Sequence, residues 1–213
     1  MLDSYMENAQ SISGTLSSSK LFRLTALVLL YLTPPTLLLF DLIPFEFRFV
    51  LLIGIAAFLS FYSYYQGFTF KDLGFRRDTL ASSLKWNLLL SICSILFVWG
   101  LVSAGIIRTV SLPEWSYFFV FYILISGPFQ EFIFRAALYA EMQRHWKGKL
   151  PYIICSSLIF SYLHIFYKDP FTLLLTLIMG FIWGTIYAKY PNFIGVAISH
   201  AIVGAIVISM GAI

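Results

Sequence analysis

Long apolar stretches separated by short polar segments dominate the chain and predict membrane-spanning helices. A helix needs about 20 apolar residues to cross the hydrocarbon core of a bilayer. Seven stretches approach this length, at residues 21–43, 47–65, 84–107, 117–140, 151–167, 171–188 and 193–213. The pattern predicts an all-α fold, a polytopic membrane helix bundle of about seven transmembrane helices. Pro34 and Pro35 should kink or break the first helix, and an eighth short piece would not be surprising.

The two ends of the chain differ in polarity, which predicts the domain organisation. Residues 1–20 are polar and rich in serine, so we expect a mobile tail there. The apolar stretch that follows is too long for a signal peptide and has no basic segment before it, so we expect it to remain as an anchor. Residues 21–213 are then one transmembrane domain.

Composition excludes several classes of protein. The chain has 213 residues, of which 60% are hydrophobic and 11% are charged. Soluble domains carry about 25% charged residues. A soluble globular enzyme, a disordered chain and a nucleic-acid-binding protein are therefore excluded. Cys93 and Cys155 both lie in apolar stretches, which rules out a disulfide framework.

Basic residues cluster on one side of the predicted membrane, which predicts the orientation. With a cytoplasmic N-terminus, ten of them lie inside and three lie outside, and Arg135 lies within a span. The excess predicts a cytoplasmic N-terminus and an outside C-terminus. The most basic loop, residues 71–78, is expected to be solvated and to face anionic lipid headgroups. Membrane lipid is thus a predicted partner.

Four ionisable residues lie within apolar stretches, where such groups are rare. They are Glu131, Arg135, His164 and His200, and Gln130 adjoins them. An ionisable group at membrane depth costs about 2.5–3.5 kcal/mol on insertion scales and faces a cavity or a partner. Glu131 and Arg135 are four residues apart on one helix, so they can pair. Two histidines with a carboxylate resemble a proton-handling or metal-binding cluster.

Helix geometry predicts that some of these residues share one depth. Gln130 and His164 each lie seventeen residues from Lys147 in the loop between the fourth and fifth stretches. At about 1.5 Å per residue both lie about 25 Å from the turn. His200 lies only about 15 Å from the turn at Tyr190, a discrepancy that a tilted seventh helix could remove.

Neighbouring residues on the same helices add three expectations. Phe160 can wall His164, and Gly204 leaves space beside His200, because each pair is four residues apart. Gly127 and the proline after it should break the fourth helix just above the polar residues. Gly180 and Gly184 have a spacing that suits close helix packing.

Three short motifs resemble those of the CAAX protease and bacteriocin-processing (CPBP) family of membrane proteins. Residues 130–135, Gln-Glu-Phe-Ile-Phe-Arg, resemble the family motif Glu-Glu-x-x-x-Arg. Residues 160–164 match Phe-x-x-x-His, and residues 200–204 resemble His-x-x-x-Asn. The Leu-Gly-Phe-Arg-Arg segment at residues 73–77 is similar to one that precedes the core in bacterial members. The resemblance covers residues 73–207 and implies a CAAX prenyl protease 2-like protein in a bacterial inner or plasma membrane.

The resemblance implies roles for the matching residues, with two departures. In proteolytic members the first Glu and the two His activate a water, and the second Glu and the Arg support the site; these positions are Gln130, His164, His200, Glu131 and Arg135. Gln130 cannot act as a general base. The Asn assigned to oxyanion stabilisation is a glycine at position 204, which offers no side-chain donor.

Several hypotheses follow from these departures. The first is a membrane-embedded peptide hydrolase that cleaves a membrane-associated peptide or prenylated tail, with Glu131 as the base in place of Gln130. His164 and His200 would orient the water or bind a divalent metal such as zinc. The second is a catalytically inactive membrane scaffold, immunity or regulatory protein. In a third, Gln130 is an engineered substitution of Glu. A proton-coupled transporter lacks support because no inverted repeat is found.

Overall fold

The computed structural model of the protein describes residues 18–107, 116–145 and 148–211. These residues form helices and connecting turns, with no strand among them. In chain order the helices are α1 (Ser18–Leu39), α2 (Arg48–Tyr65), α3 (Leu80–Ser103), α4 (residues 116–145), α5 (Leu150–Tyr162), α6 (Pro170–Lys189) and α7 (Phe193–Ser209). Short 3-10 turns, Phe45–Phe47 and Ile165–Tyr167, precede α2 and follow α5. The predicted all-α polytopic bundle is confirmed.

Each apolar stretch predicted from the sequence overlaps one of these helices. Five helices in the described part of the chain are long and apolar enough to cross a membrane: Phe45–Tyr65, Leu80–Ser103, Phe119–His145, Leu150–Tyr167 and Pro170–Lys189. Shorter apolar helices cover Thr25–Leu39 and Phe193–Ser209. Large apolar side chains such as Phe61 and Leu124 are exposed on the outer faces, where lipid would cover them. The chain is an integral membrane protein.

Some predictions fall on residues outside the described ranges. Residues 1–17 of the expected mobile tail are among them, and α1 already begins at Ser18. Arg108 and Lys147, which entered the orientation argument, also lie outside the described residues. The orientation of the termini therefore stays a prediction.

Helix α1 corrects the expectation of a break at its two prolines. It continues through Pro34 and Pro35 as far as Leu39. A proline removes its own backbone donor but does not prevent neighbouring helices from holding the chain in place. The buried hydroxyl of Tyr31, one turn before the prolines, donates to the carbonyl of Ile133 in α4 at 3.0 Å. Contact with α4 therefore supports α1 next to the prolines.

Helix α4 is the central helix of the bundle. Half of the residues in its 18-residue apolar stretch are buried, against 17% to 28% in the corresponding stretches of the other four long helices. Its backbone alternates between α-helical segments, Ser116–Phe121, Gly127–Glu131 and Leu138–His145, and π-helical segments, Tyr122–Ser126 and Phe132–Ala137. Such wide turns are frequent at functional sites.

The first π-helical segment corrects the break predicted at Gly127. The helix does not end there; instead the Gly127 N–H bonds to the carbonyl of Tyr122, five residues earlier. In a regular α-helix the ring of Pro128 would clash with a backbone carbonyl of the preceding turn. The wider turn moves that carbonyl away from the ring. The helix can therefore continue past the proline and carry the next four residues into the centre of the bundle.

Small residues bring neighbouring helices close together, as the glycine spacing predicted. A Cβ added to Gly180 in α6 would lie 2.9 Å from the Cα of Ser157 in α5. A Cβ on Gly195 in α7 would overlap the hydroxyl of Ser83 in α3. Such approaches between backbones are possible only for glycine, and they fix α5 against α6 and α3 against α7.

The basic loop before α3 is partly docked, which corrects the expectation that it is solvated. Leu73 and Gly74 are buried, and the Gly74 carbonyl accepts from the N–H of Phe193 at 2.9 Å. Gly74 has a φ of +83°, and Tyr187 and Phe193 leave no space for a side chain there. Lys71 and the other charged residues around them remain largely exposed. The loop thus anchors the start of α7.

Candidate functional site

Glu131 of α4 and His200 of α7 form a buried pair at the centre of the bundle. The Nδ1 atom of His200 lies 2.6 Å from Oε1 of Glu131. Glu131 is fully buried and the His200 side chain is only 5% exposed. The carboxylate accepts the Nδ1–H, so it fixes the tautomer and directs the basic Nε2 to the opposite edge of the ring. The two polar groups that the sequence placed at different depths are therefore in contact.

Arg135 forms an ion pair with the same Glu131 carboxylate. Its Nε lies 3.2 Å from Oε2 of Glu131, and both side chains are fully buried. The guanidinium also stacks over the ring of Phe160, with Cζ 4.3 Å from the ring centroid. Both oxygens of Glu131 therefore face positive or donating groups, which compensate the burial of a carboxylate inside the bundle.

His164 lies just beyond the end of α5, on the other side of Phe160. Its Nδ1 bonds to the Phe160 carbonyl at 2.9 Å, which leaves Nε2 as the basic nitrogen. The Phe160 ring contacts both imidazoles, with centroids 5.1 Å from that of His164 and 5.7 Å from that of His200. The expectation that Phe160 walls His164 is confirmed, and the same ring also separates His164 from His200.

Gln130 faces the same space as the histidines. It is 9% exposed, and its Nε2 donates to the hydroxyl of Ser126, one turn earlier, at 3.1 Å. Among the described residues no donor reaches its Oε1. The position of the missing first Glu of the motif thus holds a neutral amide whose buried oxygen has no hydrogen-bond donor among the described residues.

A large apolar cavity joins these residues. Its volume is about 860 Å³. His164, His200, Gln130 and Tyr122 line it, and Arg48 is the one Lys, Arg, Asp or Glu among the described lining residues. Glu131 does not line the cavity. Its carboxylate therefore acts on the cavity through His200.

Trp183 is one of two site residues that were not predicted from the sequence, and Tyr122 is the other. The Trp183 ring lies parallel to that of His200, with centroids 4.8 Å apart and an interplanar angle of 13°. Its Nε1 donates to Ser199 at 3.0 Å, and Ser199 donates to the Asn87 carbonyl at 3.1 Å. The sequence did hold one indication of this contact. Asn87 and Ser91 are polar residues four apart in an apolar stretch, a spacing that indicates a buried polar face on α3. This contact holds the histidine ring between α6 and α4.

Tyr122 occupies the space beside the glycine of the third motif. A Cβ built on Gly204 would lie 2.6 Å from Cε1 of Tyr122 and would overlap its hydroxyl oxygen. The Tyr122 and His200 rings have centroids 6.2 Å apart. The space expected beside His200 is thus filled by an aromatic hydroxyl from α4.

The donor set falls short of a catalytic zinc site. The two histidines have the hydrogen-bonded Nδ1 atoms that metal ligands usually have. Catalytic zinc uses three protein ligands, yet the described residues hold no group of three His, Cys, Asp or Glu side chains placed for an ion. Glu131 cannot be the third because Arg135 and His200 already engage its oxygens. The zinc prediction therefore stays a prediction, and the residues described do not fit it.

Comparison with known families gives one match. Residues 112–206 match the family model described as type II CAAX prenyl endopeptidase Rce1-like. The matched segment contains all five predicted site residues, Gln130, Glu131, Arg135, His164 and His200. No match was found among curated proteins or among solved structures.

Proposed function

Because residues 112–206 match the Rce1-like family of type II CAAX prenyl endopeptidases, we propose that the chain is a membrane-embedded peptide hydrolase of that family. The observation that carries the proposal is the hydrogen bond between Glu131 and His200 at the edge of the cavity. A buried carboxylate that fixes the tautomer of a histidine is the arrangement by which hydrolases hold a general base. In this proposal the base is His200, and Glu131 is its positioning residue.

The proposed reaction begins with a water at the Nε2 edge of His200. His200 takes a proton from the water, and the resulting hydroxide oxygen forms a bond to the peptide carbonyl carbon. The carbonyl π electrons move to oxygen and give an oxyanion. When the oxyanion collapses, the C–N bond breaks and the leaving nitrogen takes the proton from Nε2. The products are a carboxylic acid and an amine, and the histidine returns to its neutral form.

Arg135 and Trp183 support the charge changes in this sequence. The imidazolium formed after the first proton transfer is stabilised by the Glu131 carboxylate at 2.6 Å and by the parallel Trp183 ring. Arg135 pairs with the other oxygen of Glu131 and so holds the carboxylate in place against His200. Each group acts only through His200.

The cavity supports a substrate with an apolar anchor. Its volume of about 860 Å³ lies within the range of pockets that bury small ligands. Aliphatic and aromatic side chains from α1, α2, α3 and α6 form most of its wall, which suits a prenyl or acyl chain. We therefore propose a membrane-associated peptide or prenylated tail as the substrate class.

The proposal is tested by cleavage in detergent micelles. Purified protein is incubated with two quenched fluorescent peptides, one carrying a farnesylated cysteine and one carrying a palmitoyl chain. His200→Ala should lower the cleavage rate by about 10²–10⁴-fold, the contribution of a general base. Glu131→Gln should lower it comparably because the tautomer is no longer fixed.

The chain offers a matched control for these variants. Glu141 and His145 form a second carboxylate–imidazole pair, 3.1 Å apart, and neither residue is among the described residues that line the cavity. His145→Ala should leave cleavage unchanged. Equal rates for the unmodified chain and for His200→Ala would refute a role for His200 as base.

A second candidate function rests on the two motif departures. Gln130 and Gly204 stand at the positions where the family motifs carry a carboxylate and an amide. The loss of both groups favours a catalytically inactive scaffold or immunity protein. In that case the farnesylated peptide should bind and be recovered intact, and binding should be equal for the unmodified chain and His200→Ala. Mass spectrometry of the recovered peptide separates the two functions.

A further inference from the structure

The side chain that the third motif lacks at position 204 has a spatial replacement in α4. The hydroxyl and the adjoining ring carbon of Tyr122 lie where the first atom of a side chain on Gly204 would be. With the tyrosine ring in this position there is no space for a Cβ on residue 204. The glycine and the tyrosine are therefore complementary in shape.

The backbone of α4 brings Tyr122 to the wall of the cavity. Tyr122 is the first residue of the π-helical segment Tyr122–Ser126, whose wide turn accommodates Pro128. Gly127, at the end of that segment, also packs closely on α7, since a Cβ on it would lie 3.5 Å from the Cα of Ala201. The segment thus fixes Tyr122 against the turn of α7 that joins His200 to Gly204.

The Tyr122 hydroxyl lies over Gly204, one helical turn along α7 from the proposed base, and the two rings have centroids 6.2 Å apart. His200 and Gly204 are one helical turn apart, so groups above them lie about 5–6 Å from each other. Tyr122, His200 and Gly204 all line the same cavity. A peptide carbonyl between the two groups would present its carbon to a water at His200 and its oxygen to the Tyr122 hydroxyl.

From this geometry we infer that Tyr122 is a catalytic residue that donates a hydrogen bond to the oxyanion, in place of the amide that residue 204 lacks. This inference rests on the proposed hydrolase function. The Tyr122 O–H stays intact throughout: it donates to the carbonyl oxygen as negative charge develops there and keeps its proton when the C–N bond breaks. A donor aimed at developing charge in an apolar site stabilises the transition state more than the substrate.

The test compares variants that differ by single groups. Tyr122→Phe removes only the hydroxyl and keeps the ring over Gly204, so it should lower kcat by about 10²–10³-fold with little change in KM. Tyr152→Phe is the matched control, because Tyr152 is fully buried and lies outside the described cavity lining. It should leave kcat unchanged.

A second measurement separates catalysis from a structural role. A phosphinic peptide mimics the charged tetrahedral intermediate, whereas the uncleaved amide peptide mimics the substrate. Tyr122→Phe should weaken binding of the phosphinic peptide by the same factor as kcat/KM and leave binding of the amide peptide within about twofold. Equal weakening of both peptides would overturn the inference.

A double variant tests the role of the hydroxyl even if that group also supports folding. Tyr122→Ala opens the space over residue 204, and Tyr122→Ala with Gly204→Asn returns a donor to α7. The double variant should cleave at least tenfold faster than Tyr122→Ala alone. If His200→Ala abolishes cleavage while Tyr122→Phe does not, the inference fails and the proposed function stands. If the unmodified chain cleaves neither peptide, both fail.

Discussion

At the scale of single residues, the site depends on which side chains reach the cavity and which stay behind it. Glu131 is enclosed by Arg135 and His200, whereas Gln130, its neighbour in the chain, faces the cavity. Neighbours on a helix point about 100° apart, so the two positions cannot exchange roles. The residue at position 130 therefore controls the charge of the cavity, and residue 131 controls the histidine.

The first prediction concerns Gln130. Gln130→Glu should raise the cleavage rate at least tenfold, because it adds a carboxylate beside the hydroxyl of Ser126 and on the same cavity as both histidines. It also supplies the third ligand that the donor set lacks. Stimulation of this variant by added zinc, and its inhibition by a chelator, should be measured beside the unmodified chain.

The control for this prediction is a carboxylate of equal charge at another buried amide. The Asn87 side chain bonds to Ser83 in α3 and is not among the described residues that line the cavity, so Asn87→Asp should give no zinc response. A Gln130→Glu protein that cleaves no faster and ignores zinc would contradict the prediction and favour the scaffold function.

At the scale of elements, the number and approximate extent of the helices follow from the sequence, but their internal geometry does not. The length of the apolar stretches alone predicted the seven helices of the described residues, because a helix needs about 20 apolar residues to cross a bilayer. The passage of α1 through Pro34 and Pro35, and the π-helical turn at Gly127, depend on contacts with other helices. Local sequence cannot reveal such contacts, so both sites were predicted as breaks.

The second prediction concerns the start of α6. Asp169 caps this helix by accepting from the N–H groups of Phe171 and Thr172. Asp169→Ala should lower the free energy of unfolding by about 1 kcal/mol. Asp169→Asn keeps the acceptor and should cost a few tenths of that, which thermal unfolding in detergent can resolve.

The same cap should depend on pH. The Thr172 hydroxyl and two backbone N–H groups hold the pKa of Asp169 below its usual value. The folded state therefore binds the proton less tightly than the unfolded state, and the contribution of the charged cap is complete above about pH 4 and is lost as the pH falls below it. A difference between the unmodified chain and Asp169→Asn that grows on acidification would contradict this sign.

At the scale of the whole molecule, the site exists because α4 and α7 meet at one depth. The sequence identified Glu131, Arg135, His164 and His200 because ionisable residues are rare in apolar spans. It could not bring His200 to Glu131, since depth counted from loops ignores tilt and the length of each turn. Trp183 and Tyr122 were missed for a different reason: an aromatic residue in an apolar span has the same sequence pattern whether it faces lipid or a site.

The third prediction concerns the loop that anchors α7. Fully buried Asn192 accepts from the Gly195 N–H and donates to the carbonyl of Arg76 at 2.6 Å, so it joins the start of α7 to the docked loop. Asn192→Ala loses a helix cap and a buried hydrogen bond, which should lower the free energy of unfolding by about 2–4 kcal/mol. Trypsin should then cut at Arg76 and Arg77 faster than in the unmodified chain.

Asn192→Asp separates the two contributions. The carboxylate still accepts from the Gly195 N–H and caps α7, but it cannot donate to the Arg76 carbonyl. This variant should keep most of the helix stability and still show faster cleavage in the loop. Because His200 lies two turns into α7, loosening the start of the helix should also lower peptide cleavage. Unchanged proteolysis and unchanged cleavage in both variants would show that α7 is held by its contacts with α3 and α4 and not by the loop.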